Sequence, residues 1–224
     1  WLVVMRPLSW LYRCGFVFNQ SLYASGIKST YIAPVPVMVI GNITIGGSGK
    51  TPLLIQLVKY LQQNGVRVGV ISRGYGGQGP FPALVDFTSD PATVGDEPCL
   101  IVQATQVPMT VGANRQAAIE LLLQSTPLDL IISDDGLQQW SLARQIELIV
   151  LDQNRGLVNQ KLLPEGFLRE PTARLKQSTV IQHTKNAQPQ RNMHLSIGQP
   201  YLLNDRLSGK VFDANAKFHA VVGI

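Results

Sequence analysis

Residues 35–54 read VPVMVIGNITIGGSGKTPLL, and the order of features inside this stretch decides the fold. Val35–Ile40 is a continuous apolar, largely β-branched run closed by Gly41, the pattern of a parallel strand buried on both faces. Thr44–Thr51, TIGGSGKT, follows; beyond it Leu53, Leu54, Leu57, Val58 and Leu61 recur at helical spacing until Gly65 ends the helix. A glycine-rich turn between strand and helix is the setting of a phosphate-binding loop of the form G-x-x-x-x-G-K-[ST]. Its glycines let backbone N–H groups curl around phosphate oxygens at a helix N-terminus, its Lys neutralises β/γ charge, and its hydroxyl binds Mg²⁺. Gly49, Lys50 and Thr51 match this form. Thr44 stands where the first Gly is usual, but Gly46 and Gly47, with Ser48, keep the loop interior flexible.

The remainder of the chain extends the same pattern. Val66–Ser72 predicts a second strand, Arg73–Pro82 a Gly/Pro loop, Asp96–Thr105 a helix, Val107–Val111 a strand and Asn114–Gln124 a helix. Leu128–Ser133 and Ile146–Leu151 read as two more buried strands, and shorter ones are expected at Thr179–Gln182, Met193–Ile197 and Phe218–Val222. Strands alternating with helices build βαβ units. The fold class is therefore α/β, a P-loop NTPase-like, mostly parallel sheet with helices on both faces. Residues 31–224 are assigned to this core and residues 1–30 to a separate amphipathic segment.

Composition sets limits on function. With 45% hydrophobic and 15% charged residues among 224, the chain buries a sizeable core and is not a disordered protein. Seven basic side chains precede the first acidic one, Asp86, so the positive charge is concentrated in the first third and suits a partner with phosphates. Basic residues are not interleaved with aromatic ones, which argues against a nucleic-acid surface. Cys14 and Cys99 have no metal-type spacing, and His183, His194 and His219 have no ligand spacing, so zinc is not expected and the histidines read as structural. The N-terminal segment mixes Trp10, Leu11, Phe16 and Phe18 with Arg6, Arg13 and Lys28. Its uncharged run from Cys14 to Ile27 is 14 residues, short of the roughly 20 needed to cross a bilayer. An interfacial helix at a membrane surface fits this pattern.

Three further stretches carry chemistry. Leu130–Asp135, LIISDD, is an apolar strand ending in two carboxylates, where the acid that reaches the Mg²⁺ of a P-loop should stand. Gly74, Gly76 and Gly79 satisfy G-x-G-x-x-G, but Pro80-Phe81-Pro82 follows instead of a helix, so a phosphate or substrate loop after Arg73 replaces the dinucleotide reading. In Gly95-Asp96-Glu97-Pro98, spacing alone favours Asp96 as a helix cap over a catalytic group.

Taken in order, GNITIGGSGKTP, SRGYGG, GDEP, DDGLQ and LPEGFLRE resemble the tetraacyldisaccharide 4'-kinase family, and TIGGSGKT resembles that family's own form of the loop. The resemblance implies transfer of the ATP γ-phosphate to the 4'-hydroxyl of tetraacyldisaccharide 1-phosphate, with Mg²⁺, at the cytoplasmic face of an inner membrane. It implies catalytic roles for Lys50 and Asp96 and substrate or phosphate contacts for Arg73 and Arg169. Thr51, Asp134, Asp135 and Glu170 are the implied metal residues. The family's Pro-Asp-His type motif is not found in these residues, so a smaller second lobe is expected beyond Ile224. The competing reading, a P-loop GTPase or ATPase switch at a membrane surface, lacks the N-K-x-D motif that reads a guanine base.

Overall fold

The computed structural model describes residues 4–184 and 192–195. Its centre is β1 (Val37–Gly41), whose five residues are all buried. Val37 and Val39 point into one hydrophobic cluster, and Met38 and Ile40 into the other. Each such fully buried aliphatic side chain contributes roughly 1.5–3 kcal/mol of transfer free energy. The strand has no polar face because both of its faces are covered.

Around β1 lie β2 (Val68–Ser72), β3 (Ala83–Val85), β4 (Met109–Val111), β5 (Leu130–Asp134), β6 (Ile146–Asp152), β7 (Thr179–His183) and β8 (Asn192–Met193), in the order β3-β4-β2-β5-β1-β6-β7-β8. Every pairing is parallel except β3 with β4. β3 is absent from the sequence reading because three residues at a sheet edge carry no periodicity to detect. Of the last two expected strands, Met193–Ile197 overlaps β8 only at Met193, with His194 and Leu195 outside the strand, and Phe218–Val222 lies outside the described residues.

Helices α2 (Lys50–Gln63) and α4 (Asp96–Thr105) pack on the cluster that holds Met38 and Ile40, using Leu54 and Val58 from one and Ile101 and Val102 from the other. Helix α5 (Arg115–Ser125) presents Ile119 and Leu122 to the opposite cluster. Asn114 caps α5, its side-chain oxygen accepting from Ala117 N–H at 3.2 Å. A four-residue helix, α3 (Pro91–Val94), precedes α4.

Helix α1 (Arg6–Ala24) makes its side-chain contacts at one-face spacing. Arg6 Nε pairs with Glu165 at 3.0 Å, Ser9 Oγ donates to the Leu162 carbonyl, Tyr12 donates to the Arg169 carbonyl at 2.8 Å, and Phe16 meets Trp140 edge-on at 6.1 Å. Leu8, Trp10, Leu11, Val17 and Phe18 are left exposed. No helix among the described residues is long and apolar enough to cross a membrane.

Candidate active site

The phosphate-binding loop leaves β1 at its carboxyl end, and the strand beside it is β5, with Ile40 in register with Asp134. Topology therefore brings the LIISDD carboxylates to the loop, as ligand sites at the carboxyl ends of open α/β sheets require. Gly49 adopts φ +84° as the residue before α2, a left-handed conformation that glycine takes without strain. A Cβ on it would also lie 2.6 Å from Met193 Cε. From there Lys50 and Thr51 open the helix, so their N–H groups are among those with no intrahelical acceptor. The Ser48 hydroxyl is buried and has no hydrogen-bond partner among the described residues.

A cavity of about 560 Å³ opens over this loop, lined by Gly46, Lys50, Arg73, Tyr75, Glu97, Asp134, Asp135, Gln138 and Arg169 among others. Lys50 Nζ donates to Asn42 Oδ1 at 3.1 Å and lies 3.7 Å from Asp135. Arg169 grips Asp135 with both terminal nitrogens at 3.0 Å and reaches Gln138 and Asn42 as well. It is brought there because residues 167–169 run beside the start of the loop: Ile45 N–H donates to the Phe167 carbonyl and Arg169 N–H to the Ile43 carbonyl. Asp135 itself holds φ +45°, an uncommon conformation for a residue with a side chain, which is stored strain at a polar site.

The two adjacent carboxylates are electrostatically unlike. Burial, followed by the charges of Glu97 and Asp135, pushes Asp134 up to about 7. Its carboxylate has Ser72 Oγ at 3.4 Å, while Arg115, itself pushed down to about 10 by burial, bonds only its backbone carbonyl. At Asp135 burial acts the same way, but the Arg169 hydrogen bonds and the Lys50 charge outweigh it and hold the carboxyl below its usual range. Thr51 Oγ1 donates to Glu97 at 3.2 Å. Two carboxyl groups thus gather at Asp134 and Glu97, beside the hydroxyl that a P-loop offers to Mg²⁺.

Most of the expected site residues meet here, with two differences. Asp96 does not cap α4: the cap position is Gly95, which has no side chain to cap with, and Asp96 is the exposed first residue of the helix. Its neighbour Glu97, not singled out in the sequence, is the one that lines the cavity. Glu170, expected at the metal, is wholly buried outside the ring of lining residues. One of its oxygens accepts from Gln138 at 2.6 Å, and the other lies 3.3 Å from Arg174, which a 3-10 turn at Thr172–Lys176 folds back over it. Glu170 therefore supports Gln138 and, through it, Arg169. Asn42 and Gln138 were legible only as members of GNITIG and DDGLQ, without a role. The glycine-rich stretch after Arg73 leads through a turn into β3, with no helix to receive a dinucleotide. A larger hollow, about 670 Å³, lies by Trp140, Arg144 and Arg174, but both arginines are already bonded to Glu147.

Among the described residues no three acidic, His or Cys side chains cluster to hold a metal alone. A nucleotide-borne Mg²⁺ needs only a hydroxyl, one or two carboxylates and substrate phosphates, and the Thr51, Glu97 and Asp134 set fits that requirement.

A profile of the tetraacyldisaccharide-1-P 4'-kinase family matches residues 1–224. A tetraacyldisaccharide 4'-kinase from Psychrobacter cryohalolentis is 58% identical over 187 residues, 83% of this chain and 50% of that protein. One from Pseudomonas putida is 42% identical over 229 residues, all of this chain and 68% of that protein. The chain spans about half the length of the first of these relatives. Among solved structures, LpxK from Aquifex aeolicus, crystallised in complex with ATP, superposes with a TM-score of 0.73 at 29% identity, covering 81% of this chain and 58% of that one.

Proposed function

The chain belongs to the tetraacyldisaccharide-1-P 4'-kinase family, and from that premise we propose that its cavity transfers the γ-phosphoryl group of ATP to the 4'-hydroxyl of a tetraacyldisaccharide 1-phosphate. The observation that carries this reading is the convergence, at the end of β1, of Lys50, Arg73 and Arg169 with Asp134 and Glu97 in one cavity, with Thr51 bonded to Glu97 beside it. The unpartnered Ser48 hydroxyl and the Gly46–Thr51 backbone are suited to phosphate oxygens. The ATP bound by the Aquifex protein is consistent with that assignment.

In this reading Gly46, Gly47, Ser48 and Gly49 cradle the phosphates, and Lys50 exchanges its contacts with Asn42 and Asp135 for the β/γ oxygens. Thr51, Asp134 and Glu97 would hold Mg²⁺, with Asp135 beside them. The ion, when bound, neutralises phosphate charge. Asp96, exposed at the start of α4 next to the cavity-lining Glu97, takes the proton of the 4'-hydroxyl as the hydroxyl oxygen bonds to the γ-phosphorus, the bond from that phosphorus to the β–γ bridging oxygen breaks, and ADP leaves with the electron pair. Arg73, exposed on the cavity wall, meets substrate phosphate. Arg169 keeps Asp135 ionised and in place.

The exposed apolar face of α1, opposite the side that docks, suits the surface of a membrane that presents the lipid, with Arg13 and Lys28 near anionic headgroups. The protein then works peripherally, at the cytoplasmic face of the inner membrane.

Full-length protein incubated with labelled ATP, or with labelled GTP, and the lipid acceptor tests the reading. Label is expected in the 4'-phosphate of the lipid with ATP as the preferred donor. Preference for GTP, with hydrolysis and no labelled lipid, would favour the switch-protein reading instead.

A further inference from the structure

Arg155 belongs to none of the motifs above, yet it stands against the phosphate-binding loop. It follows β6 in a turn held by Gly156 N–H to the Asp152 carbonyl at 2.8 Å and by Asn154 N–H to the Asp152 carboxylate at 2.9 Å. The guanidinium lies on the open side of Gly46. A Cβ built there would collide with Nη1 and come within 3.1 Å of Cζ and 3.2 Å of Nη2. Gly46 also holds φ +91°, a conformation that disfavours a side chain whatever the space, so the loop leaves this flank to the guanidinium. Arg155 also sits over the Phe167 ring at 5.9 Å, and the Phe167 carbonyl accepts from Ile45 of the loop. The cation is thus steadied against the loop itself. No hydrogen bond or ion pair to a carboxylate holds it among the described residues, whereas Lys50 and Arg169 both face Asp135.

The place of Gly46 says which phosphate this cation meets. The start of α2 claims the β-phosphate with its free N–H groups. Gly46 lies three residues before Gly49, on the lip of the loop away from that helix end, and it lines the cavity that Arg73 and Asp134 share. A nucleotide whose β-phosphate sat on the start of α2 would direct its terminal phosphate into the cavity that Gly46 lines. Phosphoryl transfer spreads negative charge over the equatorial oxygens of the moving group, and a forked guanidinium placed there lowers the barrier strongly.

We propose that Arg155 is a catalytic residue supplied by the chain itself, its guanidinium bonding the oxygens of the transferring γ-phosphoryl group from the Gly46 side. This rests on the kinase reading above. The proton of the acceptor hydroxyl and the departing ADP follow the course already given; Arg155 adds only charge stabilisation.

Transfer rates, ADP affinity and melting temperature of full-length Arg155→Ala and Arg155→Lys, with Lys50→Ala in parallel, test it. Arg155→Ala is expected to lower kcat by about 10²-fold or more, with ADP affinity within about twofold of the parent and an unchanged melting temperature. Arg155→Lys should recover part of the rate, since an ammonium keeps the charge but loses the fork. A kcat within about threefold of the parent would overturn the proposal, as would a loss of rate matched by an equal loss of ADP affinity or by a lowered melting temperature. Loss in Lys50→Ala with normal rates in Arg155→Ala would refute Arg155 alone; normal rates in Lys50→Ala would refute the phosphate-loop reading beneath it.

Discussion

Asp134 is 2% exposed and its carboxylate has, among the described residues, one weak hydrogen-bond donor, Ser72, so the folded protein bears a real cost for ionising it. Burial lifts its carboxyl from the usual 3.8 to about 7. Between those values the folded chain keeps a proton that the unfolded chain has released. The associated stability is therefore complete below about pH 4 and is lost as the pH rises through about 7. In protein free of nucleotide and metal, Asp134→Asn is expected to raise the urea-unfolding free energy at pH 8 by something on the order of 2–4 kcal/mol, with the gain vanishing near pH 4. The same change should abolish phosphoryl transfer, a trade of activity for stability. A destabilised Asn variant at pH 8 would show that the carboxylate is better compensated than its contacts indicate.

The neighbouring acids on α4 separate by readout. Asp96→Asn should lower kcat by roughly 10²–10⁴ while ATP affinity and melting temperature stay put, since its exposed carboxylate caps nothing. Near-normal kcat would remove Asp96 from the chemistry. Glu97→Gln should instead raise the Mg²⁺ concentration for half-maximal rate by about tenfold, a metal residue's signature; an unchanged Mg²⁺ dependence would leave Glu97 as a partner of Thr51 only. At this scale motif residues were legible because their chemistry demands fixed types at fixed spacing. Glu97 was not, because a Gly-Asp-Glu-Pro start offers two acids and only the turn of the helix decides which faces inward. Arg155 escaped because nothing in its neighbours announces that a turn after β6 folds onto Gly46.

Among the elements, α1 has two unlike faces. The docked one is made of Arg6, Ser9, Tyr12 and Phe16, mostly polar contacts to residues 162–169, so hydrophobic periodicity could not reveal it. The exposed one was legible as an apolar, aromatic stretch with basic residues. Replacing Trp10, Leu11 and Phe18 by Ser is expected to cut co-sedimentation with phosphatidylglycerol vesicles severalfold at unchanged or higher melting temperature, because these side chains are 71, 68 and 65% exposed. Undiminished sedimentation would place the membrane contact elsewhere. The core strands were legible for a different reason. A parallel strand buried on both faces has to be apolar throughout, whereas β3 and α3 are too short for any period to show.

For the molecule as a whole, the parallel α/β class followed from alternating strand and helix signals, but the strand order did not. The helix after β1 leads to β2, yet β5 lies between them and delivers Asp134 and Asp135 to the loop. Only long-range pairing, invisible in any local window, settles which strand end stands beside which. In the proposed function this β1–β5 crevice moves a phosphoryl group from ATP to a lipid sugar, with Lys50 carrying the β/γ charge. The measurement that tests it most directly is single-turnover transfer of ³²P from γ-labelled ATP to tetraacyldisaccharide 1-phosphate by full-length protein and by its Lys50→Ala variant, at matched folding by melting temperature. Labelled 4'-phosphate is expected with the parent and a loss of at least about 10²-fold with the variant; equal labelling by both, or none by the parent, would contradict the account.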